Sequence, residues 1–246
     1  MLTYHALDES GGVLATSPGA FAEQMRVLAE ARLRVVPLAE LAAILAGRGS
    51  GEPVVSLTFD DGFRSVSEHA VPVLSRYGFP ATVFIVTDYC GRTNAWPSQP
   101  AHIARHPLLS WDELRELARA GVALGCHTRS HPDLRDLSAG ELEQEVTGAK
   151  ADMEDRLGVA VESFAYPYGA FDRRVRTVVA AHFSLACATT LGFVGPHSDR
   201  LAIERLDMYY LQRPALLARL FTPWVAGYLR LRRALRAARA GYGSAS

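Results

Sequence analysis

The sequence predicts an α/β fold, a barrel of parallel strands with helices on its faces and a helical C-terminal extension. Three observations carry this. Short apolar runs of strand length alternate with amphipathic stretches of helical length, which is the signature of strand–helix–strand units and a parallel sheet. Eight such runs fall within the first 210 or so residues, more than an open sheet of that length usually holds. The composition is that of an ordinary globular protein: 246 residues, 49% hydrophobic and 21% charged, enough chain for one large core.

In order, the runs are 2–7 (LTYHAL), 34–38 (RVVPL), 53–59 (PVVSLTF), 81–86 (ATVFIV), 122–127 (VALGCH), 162–167 (ESFAYP), 184–189 (SLACAT) and 201–206 (LAIERL). Ser17-Pro18 supplies an N-cap and a first helical residue before AFAEQMRVLAEAR. Ser110 with Glu113 forms a capping box for the next clear helix, which Gly121 stops, and Ser138 with Glu141 does the same for a long helix to about Leu157. The segment Asp88–Leu109 has no periodicity and reads as a long loop of the kind that contacts substrate.

The net charge of zero argues against general nucleic-acid binding, but it hides an asymmetry. All 26 acidic side chains and 19 basic ones lie in 1–212, whereas 213–246 hold seven Arg and no acid. The chain therefore divides into a body, 1–212, and a basic tail, 213–246. Three cysteines, Cys90, Cys126 and Cys187, are odd in number and far apart, which favours a reducing compartment over a disulfide framework. No basic stretch followed by an apolar run opens the chain and no run is long enough to span a bilayer, so a cytoplasmic protein is expected if Met1 is the native start.

Three motifs carry chemistry. Thr58-Phe59-Asp60-Asp61-Gly62 ends a buried run in two adjacent carboxylates, at the carboxyl end of a strand, where α/β folds build their sites. Neighbouring residues on an extended strand point to opposite sides, so the two Asp serve different ends. His127-Thr128-Arg129-Ser130-His131 places two imidazoles where they can meet on a metal, and one carboxylate would complete a facial set with open positions. Cys126 is a further donor by type, but its apolar run marks it as a buried spectator. Phe164-Ala165-Tyr166-Pro167-Tyr168-Gly169 can form a groove wall that aims backbone N–H groups at a ligand.

Together and in this order the motifs resemble those of the polysaccharide deacetylase family, the NodB-homology or carbohydrate esterase family 4 domain, over about residues 1–206. The resemblance implies a distorted (β/α)7-type barrel. It further implies removal of acetyl groups from N-acetylated amino sugars in a glycan, glycolipid or precursor, using one divalent metal. Zn2+ heads the candidates, and Co2+, Ni2+ or Fe2+ also suit the donors. Carried over by position, Asp61, His127 and His131 hold the metal, Asp60 is the base, and the backbone N–H of Tyr168 helps stabilise the developing oxyanion.

Two positions depart from the family pattern. The Arg that usually orients the base is replaced by Ala165, and Arg205 on the last strand is the candidate substitute. The acid His usually supplied by the last strand is missing there, but Tyr4-His5 resembles a permuted subgroup that includes poly-N-acetylglucosamine deacetylases. That resemblance implies that the acid comes from the first strand, as His5, since in a closed barrel the first and last strands can be neighbours; His197 is its competitor. A small-molecule amidohydrolase on the same scaffold, acting on a nucleotide sugar, an antibiotic precursor or a non-sugar amide, is the alternative. A non-catalytic carbohydrate-binding relic is disfavoured, because Asp60, Asp61, His127 and His131 are all present.

In the tail, Trp224, Tyr228, Leu231 and Leu235 recur on one helical face, with a break at Phe221-Thr222-Pro223. Either this face packs on the barrel with the Arg paired to its acids, or the helix lies on an anionic membrane surface. The sequence leaves the oligomeric state open.

Overall fold

The computed structural model describes residues 1–48 and 52–243. Seven parallel strands close into a barrel: β1 (Leu2–Tyr4), β2 (Leu57–Phe59), β3 (Ala81–Ile85), β4 (Ala123–Cys126), β5 (Ser163–Ala165), β6 (Leu185–Leu191) and β7 (Ile203–Asp207). Around the barrel β1 is followed by β7, β6, β5, β4, β3 and β2, which returns to β1. The chain's first strand thus lies between its last and its second, with Leu2 opposite both Leu206 and Leu57. That closure brings the residues after β1, the end of β2 and the middle of β7 to one place.

The barrel is distorted as the family pattern implies. The β4–β5 joint has a single register pair, Cys126 opposite Phe164, and the β6–β7 register shifts between Cys187 and Leu191. Leu57, Phe59, Val83 and Phe164 are fully buried in the layer between the strands and the surrounding helices, Phe59 against Phe21 of the first helix, while Phe84, Ala165, Cys187 and Ile203 form a separate buried cluster with Met1.

The expected eighth strand is not in the barrel. Arg34–Val35 pairs only with Val54–Val55, in a separate two-stranded sheet. Pro37 cannot donate to a ladder, and a helix starts directly after it at Leu38, so the run cannot continue as a central strand. The 53–59 run is correspondingly divided, its first half outside and Leu57–Phe59 inside. The 2–7 run also breaks, into β1 and a short Ala6–Leu7 strand paired with Ala15–Thr16, and His5 stands at the break.

The helix starts follow the capping residues. Ser17 caps Pro18–Glu30 through the Ala20 N–H, and complete capping boxes open Trp111–Arg119 and Ala139–Glu143. The latter helix runs on to Leu157 through one wide turn at Gln144–Gly148. None of the cysteines is in a disulfide, and burial pushes the Cys126 thiol up to about 12, as expected of a spectator.

The tail forms a short helix, Pro214–Leu217, and a long one, Pro223–Gly243, with the break where the sequence places it. The packing face differs from the expected one. Val225 and Leu229 are buried against the body, whereas Trp224, Leu231 and Leu235 are exposed. Among the described residues no tail Arg forms an ion pair with an acid; Arg232 instead lies over the Tyr210 ring at 4.8 Å. The side chains of Arg236 and Arg239, and residues 244–246, lie outside the described residues.

Candidate active site

The site is made of strand ends bent into unusual backbone conformations. Among the described residues five that are not glycine have positive φ, and four of them are Asp61 (70°), Thr128 (70°), His131 (59°) and Tyr168 (58°). Each such conformation costs on the order of 1–3 kcal/mol and persists only where the surroundings impose it. Here those surroundings are identifiable. Glu145, on the wide helical turn, accepts hydrogen bonds from the Arg129 and Ser130 N–H groups at 2.8 and 2.9 Å. Thr128 Oγ1 accepts the His131 N–H at 3.0 Å. After Tyr168, a Cβ at Gly169 would overlap the Thr189 hydroxyl and backbone nitrogen, so that turn requires glycine.

These turns aim three side chains at one point. Asp61 Oδ1 lies 3.4 Å from His127 Nε2 and 3.4 Å from His131 Nε2, and the three donor atoms lie within 4.8 Å of one another. All three residues are buried. His127 Nδ1 is 2.7 Å from the Ala165 carbonyl oxygen, which can only accept, so the proton sits on Nδ1 and Nε2 is free to ligate. Burial pushes the His131 imidazole down to about 3, which keeps it neutral at physiological pH. One carboxylate oxygen and two imidazole nitrogens converging from one side fit a divalent metal with open positions. Cys126 is not part of this group.

Asp60 is not one of the three donors. Arg205 Nη1 and Nη2 donate to its two carboxylate oxygens, both at 2.7 Å, and Arg205 Nε donates to the Ala188 carbonyl at 2.8 Å. Arg205 is 1% exposed, so this is a desolvated, bidentate clamp and not a surface ion pair. Burial disfavours the Asp60 charge, but Arg205, with His127 and His5, holds its carboxyl well below the ordinary carboxylate range. The Asp60 N–H donates to the Tyr4 carbonyl, and His5 Nε2 stands 3.8 Å from Asp60 Oδ2. His5, Asp60 and Arg205 thus come from three adjacent strands. His197, its competitor, is exposed in the loop before β7, beside Gly195 and Pro196, which line a cavity with Met1 and Ser56 ahead of β1 and β2.

The Asp88–Leu109 loop contributes residues that no motif announced. Ser98 Oγ donates to the His131 carbonyl at 2.7 Å and accepts from the Tyr168 hydroxyl at 2.9 Å. The buried Trp96 ring stacks on His131 with centroids 4.4 Å apart, and the Tyr168 ring meets His131 edge-on at 4.7 Å. His131 Nδ1 is buried without a hydrogen-bond partner, so this imidazole is held by rings and by its own backbone, where His127 is held by an acceptor. Ser98→Ala is therefore expected to weaken metal affinity by about tenfold, since supporting residues typically matter by about 10–100-fold. A competitive chelator titration measures this; unchanged affinity would remove Ser98 from the support of the site.

Fold and site together define a hydrolase-type centre: a metal-ready Asp–His–His set beside a clamped carboxylate, at the open end of a seven-stranded barrel. Residues 47–183 match the model of the family described as polysaccharide deacetylase, and the chain belongs to that family. The matched span contains Asp60, Asp61, His127, His131 and Tyr168 but neither His5 nor Arg205. YxkH of Bacillus subtilis strain 168 is 23% identical over 208 residues, covering 84% of this chain and 70% of that protein. Poly-beta-1,6-N-acetyl-D-glucosamine N-deacetylase of Staphylococcus aureus (strain N315) is 26% identical over 164 residues, covering 62% of this chain and 53% of that protein, so the alignment spans about half of that relative. Among solved structures, IcaB from Ammonifex degensii has a TM-score of 0.73 at 26% identity, covering 88% of this chain and 95% of that one. The Streptococcus pyogenes deacetylase PplD, solved with acetate, has a TM-score of 0.78 at 22% identity, covering 90% and 97%; it shares the fold.

Proposed function

We propose that this protein is a metal-dependent N-deacetylase that removes the acetyl group from an amino sugar of a glycan, a glycolipid or their precursor, releasing acetate. The observation that carries the reading is the pairing of the Asp61–His127–His131 donor set with an Asp60 carboxylate clamped by Arg205. Asp61, His127 and His131 would hold the metal, with Zn2+ the first choice for one carboxylate and two imidazoles. When bound, the metal lowers the pKa of a water and polarises the acetyl carbonyl.

The chain's own residues do the rest. Asp60, kept ionised and oriented by Arg205, accepts the proton of the attacking water. A strongly acidic carboxyl gives that proton up readily, and His5 Nε2 stands 3.8 Å from the Asp60 oxygen, close enough to receive it after a small movement. His5 then protonates the departing amine. The Tyr168 backbone N–H, set by its left-handed conformation, is assigned to the developing oxyanion. The exposed Tyr168 ring, its hydroxyl bonded to Ser98, stands against His131 beside the metal donors.

For location we propose the cytoplasm, supported by three cysteines that are all free, with membrane contact through the basic tail. The test of the activity offers N-acetylglucosamine oligomers and non-sugar acetamides in parallel, with added metal, and measures acetate. Release from the sugars alone is expected. Release from the non-sugar amides alone would replace this reading by the small-molecule amidohydrolase.

A further inference from the structure

We propose that the C-terminal helix Pro223–Gly243 is a docking face for an anionic lipid bilayer, formed by an exposed apolar ridge flanked by arginines. This deepens the tail reading above and is independent of the catalytic one. The helix has two apolar stripes and needs only one to pack. Val225 and Leu229, four residues apart, are 0% and 2% exposed and attach it to the body. The second stripe stays outside: Trp224 is 63% exposed, Leu231 59% and Leu235 48%, with Phe221 ahead of them at 44%. Trp224, Leu231 and Leu235 share one face of the helix, with Phe221 exposed just ahead of its start, and together they form a patch unlike the scattered single exposures of an ordinary surface.

Charge selects the occupant. From Met208 to the end of the chain there is no acidic residue, and 213–246 hold seven Arg. Within the helix, at about 100° per residue, Arg232 and Arg230 fall to either side of the ridge and Arg233 on the opposite face, and among the described residues none of the three is ion-paired with an acid. The ridge alone would suit a second copy of the chain or any apolar partner. A ridge flanked by unneutralised cations suits a surface that is apolar within and anionic at its rim, which is a bilayer containing acidic headgroups. Trp224 stacks on Tyr228 at 6.5 Å, and such aromatic rings favour the headgroup level of a membrane. Phe221 also lines an apolar cavity of about 500 Å³ with Met1, Leu45, Val54, Phe193 and Val194, so the apolar surface continues from the helix onto the barrel. Among the described residues no helix is long and apolar enough to cross a membrane, so the contact would be peripheral.

The test is sedimentation of the full chain with vesicles of phosphatidylcholine alone or mixed with phosphatidylglycerol. Binding to the mixed vesicles should exceed binding to the neutral ones by at least about tenfold and should weaken with salt. Trp224→Ser combined with Leu231→Ser should lose at least about tenfold of it, and so should Arg230→Glu combined with Arg233→Glu. Trp224 and Leu231 are exposed, so their loss leaves the packing of the body untouched. Tryptophan emission should shift to the blue on mixed vesicles in the wild type and not in the Trp224 variant. Equal binding by wild type and the apolar variant, or no binding by the wild type, would overturn the proposal. So would a wild-type dimer that the apolar variant dissolves, without vesicle binding, which would assign the ridge to self-association. Deacetylation of a soluble sugar, measured in parallel, should be unchanged in both variants. Normal vesicle binding by a chain that deacetylates nothing would support this proposal while removing the catalytic reading.

Discussion

Replacing Asp60 with Asn is expected to lower kcat by about 10²–10⁴-fold, the usual contribution of a positioned general base. The amide has the shape of the carboxylate but takes no proton at neutral pH. Asp60 is not one of the three metal donors, so metal affinity should be retained. Stability should not be. Arg205 is fully buried and, among the described residues, Asp60 is its only ion-pair partner, so the substitution strands a cation in the barrel at a cost of about 3–5 kcal/mol. Asp60→Asn combined with Arg205→Met removes both charges and should recover much of that stability without recovering turnover. Thermal unfolding, metal titration and acetate release on the two variants check all three statements. If Asp60→Asn kept more than about a tenth of wild-type kcat, a loss under about 1.4 kcal/mol, Asp60 would not be the base. The same pair gives a pH signature. Folding lowers the Asp60 pKa below its ordinary 3.8, so the stabilisation is complete above that value and is lost only as pH falls below it.

The second large effect is expected at His5. Cleaving an amide expels an amine, a poor leaving group unless it is protonated, and Asp60 begins the reaction ionised. His127 and His131 belong to the proposed metal set. His5 is half-buried at the end of β1, 3.8 Å from Asp60, whereas His197 is exposed in the loop before β7. His5→Ala should therefore cost at least about 100-fold in kcat, roughly 2.7 kcal/mol, with metal still bound, and His197→Ala should stay near wild type. The reverse ranking would move the acid role to His197 and undo the argument from strand order.

The barrel and most of its site were legible because they rest on strong local signals. Alternating strands and helices gave the architecture, and Ser17, Ser110 and Ser138 marked helix starts that the structure keeps. Arg205 and His5 were found by asking what replaces a missing partner, although both lie outside the span matched by the family model. The errors are instructive too. Arg34–Leu38 has strand composition, but Pro37 and the helix behind it leave room for only two ladder residues. Ser98, Trp96 and Glu145 were missed because their roles depend on loop and helix geometry with no periodic trace. The Ala165 carbonyl was missed because it is backbone: the side chain that departs from the family pattern hides an oxygen that fixes His127. In the tail the sequence displayed one apolar stripe clearly, and the helix packs by the other.

The most direct test of the whole account is a metal titration of the stripped protein with activity followed in parallel. Chelation should abolish acetate release, and zinc should restore it in proportion to a single bound equivalent per chain. Asp61→Ala and His131→Ala should each lose that equivalent, because the three donor atoms lie within 4.8 Å of one another and each would supply one ligand to the same ion. Full activity with under about a tenth of an equivalent of metal bound would contradict the account at its centre, since Asp61, His127 and His131 would then be converging on nothing.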